Sequence, residues 1–203
     1  MNIQYREPNS LKELESLFRL RQLVYSEDPL LHEMVHSSDQ IDVNQYDLNA
    51  FHFGAFQDKK PIAYIRITSP IKTHFTPWVE KIIQQNKIVF DLKSTFFPFQ
   101  NYHPDSNWSI SFLASLEGRK IGEVGKLAIH KNNRIAGIVL DHLIVSFIDY
   151  CKKEQRFDTG FGACSLKLIR YYRKFGFKIA EGAQPFIHNM LPEAVIVQFD
   201  NEF

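Results

Sequence analysis

Cysteine is scarce in this chain, and so is any excess of charge. Two cysteines, Cys151 and Cys164, occur in 203 residues. They cannot build a disulfide framework, and neither has metal-ligand neighbours at close spacing. The 24 basic and 23 acidic residues leave a formal net charge of +1. That balance removes any whole-chain electrostatic case for nucleic acid or an anionic membrane surface. No apolar run is long enough to span a bilayer, and the stretch from Met1 to Arg6 lacks the apolar centre of a signal peptide. Stable membrane insertion is therefore not expected, and the expected location is cytoplasmic. No repeat, low-complexity tract or linker is visible, so one domain over residues 1–203 is expected. What the chain has in quantity is phenylalanine, 18 residues. They sit in a globular balance of 44% hydrophobic and 23% charged residues, which is enough to bury a core.

The most informative stretch runs from Glu123 to Lys153. Its first part, Glu123 to His130, is a short apolar run bounded by turn residues, which predicts a buried strand. An acidic residue on such a strand is out of place and needs a partner. Strict alternation puts Glu123 and Lys126 on opposite faces, whereas a bulge near Gly125 would change that. Lys131 to Arg134 follows, with Asn as a helix N-cap, and a helix is expected through Ile135 to Lys153. Leu140, Leu143, Ile144, Phe147, Ile148 and Cys151 form its buried stripe. A strand feeding a helix start can hold an anion on the unpaired N–H groups of the first turn, and Arg134 and Gly137 favour one there. Strand, turn and helix alone also fit any α/β core.

Elsewhere, Ile3 to Arg6 reads as a strand, and Ser10 to Glu13 is a capping box that starts a helix at Leu11. Leu14, Phe18, Arg21 and Tyr25 share the apolar face of that helix. Arg21 must therefore find a partner, lie in a cleft or snorkel to the surface. Glu27 to Gln45 is polar and reads as a loop. His32 and His36 within it have the spacing of two helix-borne ligands, but no third ligand completes a set, and no metal is expected. Ala50 to Gln57 and Pro61 to Thr68 bracket Asp58-Lys59-Lys60 as a hairpin, with Tyr64, Arg66 and Thr68 on one face of the second strand. Thr76 reads as an N-cap followed by Pro77 at the first helical position, which predicts a helix from Pro77 to Gln85. Lys87 to Leu92 reads as extended, Trp108 to Phe112 as a strand, and Ser165 to Phe175 as a helix closed by Gly176. Ala194 to Phe199 alternates as a last strand.

Two motifs carry a resemblance. Arg134-Ile135-Ala136-Gly137-Ile138-Val139 follows a strand and opens a helix, and Tyr172-Arg173-Lys174-Phe175-Gly176-Phe177 follows downstream in the right order. Together they resemble the donor motif Q/R-x-x-G-x-G/A and the Y-x-K-x-G-F signature of the GNAT acyltransferases, with Val139 in place of the last small residue. A narrower resemblance, to autoinducer synthases and long-chain N-acyl amino acid synthases, rests on four more segments. These are Phe18 to Tyr25, Gln45-Tyr46-Asp47, Pro61 to Arg66, and Glu123-x-x-Lys126, where Lys replaces the family's Arg.

The resemblance implies an α/β (α+β) GNAT fold in one domain: a mixed central sheet, splayed at the acyl-donor site, with helices on both faces and an insertion at about 70–107. It implies an N-acyltransferase that moves an acyl group from acyl-CoA or acyl-carrier protein to the amine of a small molecule such as an amino acid. Donor contacts would come from Leu127, Ala128, Ile129, Asn133, Arg134, Ala136, Gly137 and Ile138. Glu123 would act as base and Tyr172 as the acid that protonates the departing thiolate. Arg21, Tyr25, Asp47, Arg66 and Lys126 would bind substrate, with Arg21, Asp47, Arg66 and Glu123 in one charged cleft. An ordinary acetyl-CoA-dependent acetyltransferase and a non-catalytic thioester-binding module remain as alternatives. Phe75, Trp78, Phe90, Phe96, Phe97, Phe99, Trp108 and Phe112 would either wall a slot for an acyl tail or fill a second core layer.

Overall fold

The structure, a computed structural model, describes residues 2–28, 41–89, 95–133, 137–188 and 191–201. His32, His36, Phe90, Arg134, Ile135 and Ala136 lie outside the described residues, as does the second half of the extended run expected from Lys87 to Leu92.

The chain opens with strand β1 (Ile3–Arg6) and helix α1 (Leu11–Ser26). Ser10 caps α1 by accepting from the Glu13 N–H. The other half of the capping box is redirected: the Glu13 carboxylate accepts from the Asn9 N–H and clamps Arg6. The hairpin β2 (Ala50–Gln57) and β3 (Lys60–Thr68) turns through Asp58 and Lys59, both left-handed, the conformation that a two-residue primed turn demands. Then come α2 (Thr76–Gln85), α3 (Ser106–Ser115), β4 (Ile121–Ile129), α4 (Ile138–Lys153), β5 (Thr159–Ser165), the short α5 (Ile169–Tyr172), β6 (Lys178–Ile179), β7 (Phe186–His188) and β8 (Leu191–Asp200).

The eight strands form one mixed sheet in the order β1-β2-β3-β4-β5-β8-β6, with β7 also paired to β8. β4 and β5 are the parallel pair, and α4 is the crossover between them. They pair only at Ile121–Thr159, Gly122–Gly160 and Glu123–Phe161. Beyond those three pairs β4 continues with β3 and β5 continues with β8, so the sheet splays after Glu123. Gly162 is the next residue of β5 at this fork. A β-carbon there would lie 2.4 Å from the Val124 carbonyl oxygen, so only glycine lets the strands approach so closely before they part.

Apolar side chains are buried on both faces. On one, α1 and α2 cover Tyr64 and Phe56, while α3 covers Phe161, Ala194 and Ile196. On the other, α4 packs on Phe53, Ile65 and Ile67 and, with α5, on Val195 and Val197.

The structure corrects several expectations. Thr76 is the first residue of α2, with Phe75 before it as the N-cap residue, rather than the cap itself. Trp108 to Phe112 is helix, not strand. Asp105 caps it by accepting from the Trp108 N–H, and Trp108 and Phe112 stack one turn apart at 5.1 Å. α4 begins at Ile138 rather than Ile135, because Gly137, its N-cap residue, is left-handed with φ 71° and so is not part of the helix. Asn133 closes a 3₁₀ turn (Lys131–Asn133) instead of capping α4. The helix expected from Ser165 to Phe175 is three short turns, Leu166–Leu168, α5 and Arg173–Phe175, although Gly176 ends them as a left-handed C-terminal residue.

Candidate active site at the fork of the sheet

β4 carries a bulge where it meets β3. Tyr64 pairs with Ala128 and Arg66 with Gly125, so Lys126 and Leu127 stand against a single residue of β3, and Lys126 is left-handed at φ 54°. The extra residue reverses the alternation. Glu123 lies opposite Thr68 on the α1 side of the sheet, and Lys126 reaches Asp42 on the same side. The Tyr25 hydroxyl donates to the Leu127 carbonyl at 3.1 Å, which fixes the bulge from α1.

Arg21, Asp47 and Arg66 meet in this layer. Arg21 is fully buried. Its Nε donates to Asp42 Oδ2 at 2.6 Å, its Nη1 to Asp47 Oδ1 at 2.9 Å and Tyr64 Oη at 3.1 Å, and its Nη2 to Asp47 Oδ2 at 2.8 Å and the Asp42 carbonyl. Every N–H of the guanidinium is committed. Asp47 is equally saturated, because it also accepts from Arg66 Nη1 at 2.8 Å and from the Asn44 N–H at 2.9 Å. Against the cost of burial, the two guanidiniums hold Asp47 well below the usual carboxylate range. Lys126 Nζ sits 3.0 Å from Asp42 Oδ2 and 5.0 Å from the centre of the Tyr25 ring. Burial lowers this amine to about 8.

His52 completes the network. Its Nε2 faces the Asp47 carbonyl, an obligate acceptor, so the proton sits on Nε2. Nδ1 then accepts from the Tyr64 hydroxyl at 2.8 Å, which leaves the Tyr64 oxygen free to accept from Arg21. Burial drops this histidine to about 3, so it stays neutral.

Glu123 stands at the fork, 4% exposed. It accepts from the Phe99 N–H at 2.9 Å and from the Tyr102 hydroxyl at 2.9 Å. No ion pair joins it to Arg66 or Arg21 among the described residues, though the Arg66 charge acts on it. Burial lifts its carboxyl to about 7, while the two hydrogen bonds and Arg66 pull the other way. A carboxyl poised near neutrality can take a proton from an ammonium group and return it.

The remaining sequence candidates lie around the fork. Ala128 is buried under α1, Leu127 and Ile129 pack toward α4, Gly137 and Ile138 open α4, and Asn133 is half-buried just before it. Tyr172 is on α5, its ring 5.7 Å from Phe177. Burial, then the neighbouring Cys164, push its hydroxyl up to about 12. Asp42, Asn44, His52 and Tyr102 complete the site and were missed from sequence as site residues. Among the described residues no group of three His, Cys, Asp or Glu side chains could hold a metal ion, and no helix is long and apolar enough to cross a membrane.

No family model and no curated protein matches the sequence. Solved structures do. FeeM, an N-acyl amino acid synthase from uncultured soil microbes, superposes with a TM-score of 0.59 at 14% identity, over 98% of this chain and 91% of its own. A GNAT-family acetyltransferase from Streptococcus pneumoniae gives 0.55 at 15% identity, over 99% of this chain and 100% of its own. This chain has the GNAT fold. BjaI, a CoA-dependent acyl-homoserine lactone synthase solved with SAM and isopentyl-CoA, shares the GNAT architecture with a TM-score of 0.61 at 16% identity, over 94% of this chain and 77% of its own. Two synthases and an acetyltransferase thus superpose on this chain at comparable scores.

Proposed function

We propose that this protein is an N-acyltransferase of one catalytic domain, which moves an acyl group from a pantetheine thioester, on CoA or acyl-carrier protein, to the amine of a small molecule. The observation that carries this reading is Glu123, buried where β4 and β5 part, on two hydrogen bonds and with its carboxyl near 7. Glu123 takes the ammonium proton of the acceptor. The neutral amine attacks the thioester carbonyl, the C–N bond forms and the C–S bond breaks. Tyr172, which keeps its proton at neutral pH, gives it to the departing thiolate and regains one from the new amide nitrogen. The donor lies along Leu127, Ala128 and Ile129. Its phosphates meet the chain from Asn133 through Arg134 and Ala136 to Gly137 and Ile138. Arg21, Asp47 and Lys126 fix the layer on which the acceptor rests, Tyr25 holds the bulge beneath it, and Arg66 faces the acceptor itself.

One observation favours a second reading, the ordinary acetyltransferase. The Phe161 ring, at the fork, makes edge contacts with Phe97, Phe99 and Phe112 at 5.2–5.3 Å. Those rings fill a core layer rather than standing apart as walls of a slot. A donor series from acetyl to long-chain CoA, with pooled amino acids and amines as acceptors and thiol release as readout, decides between the two. If the acyl group is a medium or long chain, kcat/KM climbs with chain length, since each buried methylene contributes about 0.8 kcal/mol. A preference for acetyl-CoA over every longer donor selects the acetyltransferase. Donor binding without turnover, and no effect of Glu123→Gln or Tyr172→Phe, would remove the enzyme altogether.

A further inference from the structure

Two buried polar atoms beside Glu123 have no hydrogen-bond partner among the described residues: Arg66 Nε and Thr68 Oγ1. Both side chains project from the same face of β3, two residues apart, and Thr68 stands directly opposite Glu123 on β4. They are 3% and 1% exposed. A buried donor or hydroxyl left without a partner is costly, and native proteins keep few of them. The rest of the Arg66 side chain is not loose, since Nη1 is held by Asp47 and Asn44. Its Nε edge is thus presented at a fixed angle. The Thr68 hydroxyl donates or accepts with equal ease.

We infer that Arg66 Nε and the Thr68 hydroxyl form a subsite for an oxygen of the acceptor, one carried a bond or two from the amine that faces Glu123. The carboxylate of an α-amino acid has that placement. This rests on the acyltransferase reading for its use but not for its existence. Directly opposed residues on antiparallel strands have β-carbons about 4.5–5.5 Å apart. Thr68 and Glu123 can therefore flank the two ends of one small zwitterion. The charges agree. Arg21, Arg66 and Lys126 face Asp42, Asp47 and Glu123 in the buried layer, so the layer is neutral with Glu123 ionised and stays neutral when a zwitterion enters. The Phe99 N–H and the Tyr102 hydroxyl now hold the Glu123 carboxylate, and an incoming ammonium group shares it. Phe99 sits on the Pro98–Asn101 turn, which would have to move aside for the acceptor to seat.

The test is calorimetry on the intact protein without any donor, using proteinogenic α-amino acids one at a time and the decarboxylated amine of each. Wild type should bind its preferred amino acid at least about tenfold tighter than the matching amine, the size of one hydrogen bond to a charged group. Thr68→Val should lose that discrimination, and Thr68→Ser should restore it. A purely structural hydroxyl would behave differently. Removing an unpartnered buried hydroxyl leaves the melting temperature unchanged or raises it, so Thr68→Val should bind worse without melting earlier. Equal discrimination in Thr68→Val, or no amino-acid binding by wild type, overturns the subsite. The enzyme reading fails separately. Thr68-dependent binding with no thiol release from any donor keeps the subsite and removes the transferase. Transfer with an unchanged acceptor KM in Thr68→Val does the reverse.

Discussion

Glu123 and Asp47 are both buried carboxylates, and their surroundings push them in opposite directions. Glu123 has no cation bonded to it among the described residues and lies near 7, while Asp47 binds two guanidiniums and stays ionised. If Glu123 is the base, kcat/KM should rise with pH through an inflection near 7. Tyr102→Phe removes a hydrogen bond that favours the carboxylate, so the inflection should move to higher pH. A pH–rate profile of the two proteins checks this, and an unmoved inflection would assign the titration elsewhere. For Asp47, loss of the charge leaves Arg21 and Arg66 buried without their shared anion. Asp47→Asn should cost about 3–5 kcal/mol in a urea unfolding experiment. A cost below about 1 kcal/mol would mean that Asp42 alone balances Arg21.

Among the elements, the bulge in β4 and the close approach of β5 build the fork. Gly162→Ala sets a methyl group against the Val124 carbonyl and should destabilise by about 1–3 kcal/mol. Scanning calorimetry should show the lower melting temperature, and an unchanged one would mean that the strands separate at no cost. Much of this level was readable in the sequence, because the signals were local. Ser10 starts α1, Asp58 and Lys59 turn the hairpin, Gly176 ends the α5 region, and the charge on Arg21 demanded a partner. Other features were hidden for physical reasons. Trp108 to Phe112 satisfies a period of two and a spacing of four at once, and the deciding residue, Asp105, lies outside the apolar run. His52 escaped because a bulge at Ala55 and Phe56 shifts the hairpin register. Counting back from the turn pairs Arg66 with Phe51, whereas the structure pairs it with His52, and a one-residue slip changes the face. Asp42 sits in a polar stretch whose burial depends on α1, which no local pattern reveals.

For the whole molecule, pH reports on the buried layer. Glu123 titrates at a higher pH in the folded chain than its ordinary 4.5. Its contribution is fully present below about pH 4.5 and is lost as pH rises through about 7. A shift of that size corresponds to about 3 kcal/mol. Denaturation of wild type and Glu123→Gln across that window should show the variant gaining in relative stability as pH rises, and a constant difference would place the Glu123 pKa near its ordinary value. The narrow seam between β4 and β5 has another consequence. The sheet is two antiparallel ribbons stitched by three residue pairs, one drawn from residues 3–129 and the other from residues 159–200. Every member of the charged layer, from Arg21 to Lys126, comes from the part of the chain that builds the first ribbon, and Tyr172 from the part that builds the second. A chimera that joins this N-terminal half to the C-terminal half of another protein of the same architecture, exchanged along α4, should inherit its acceptor preference from one parent and its leaving-group chemistry from the other.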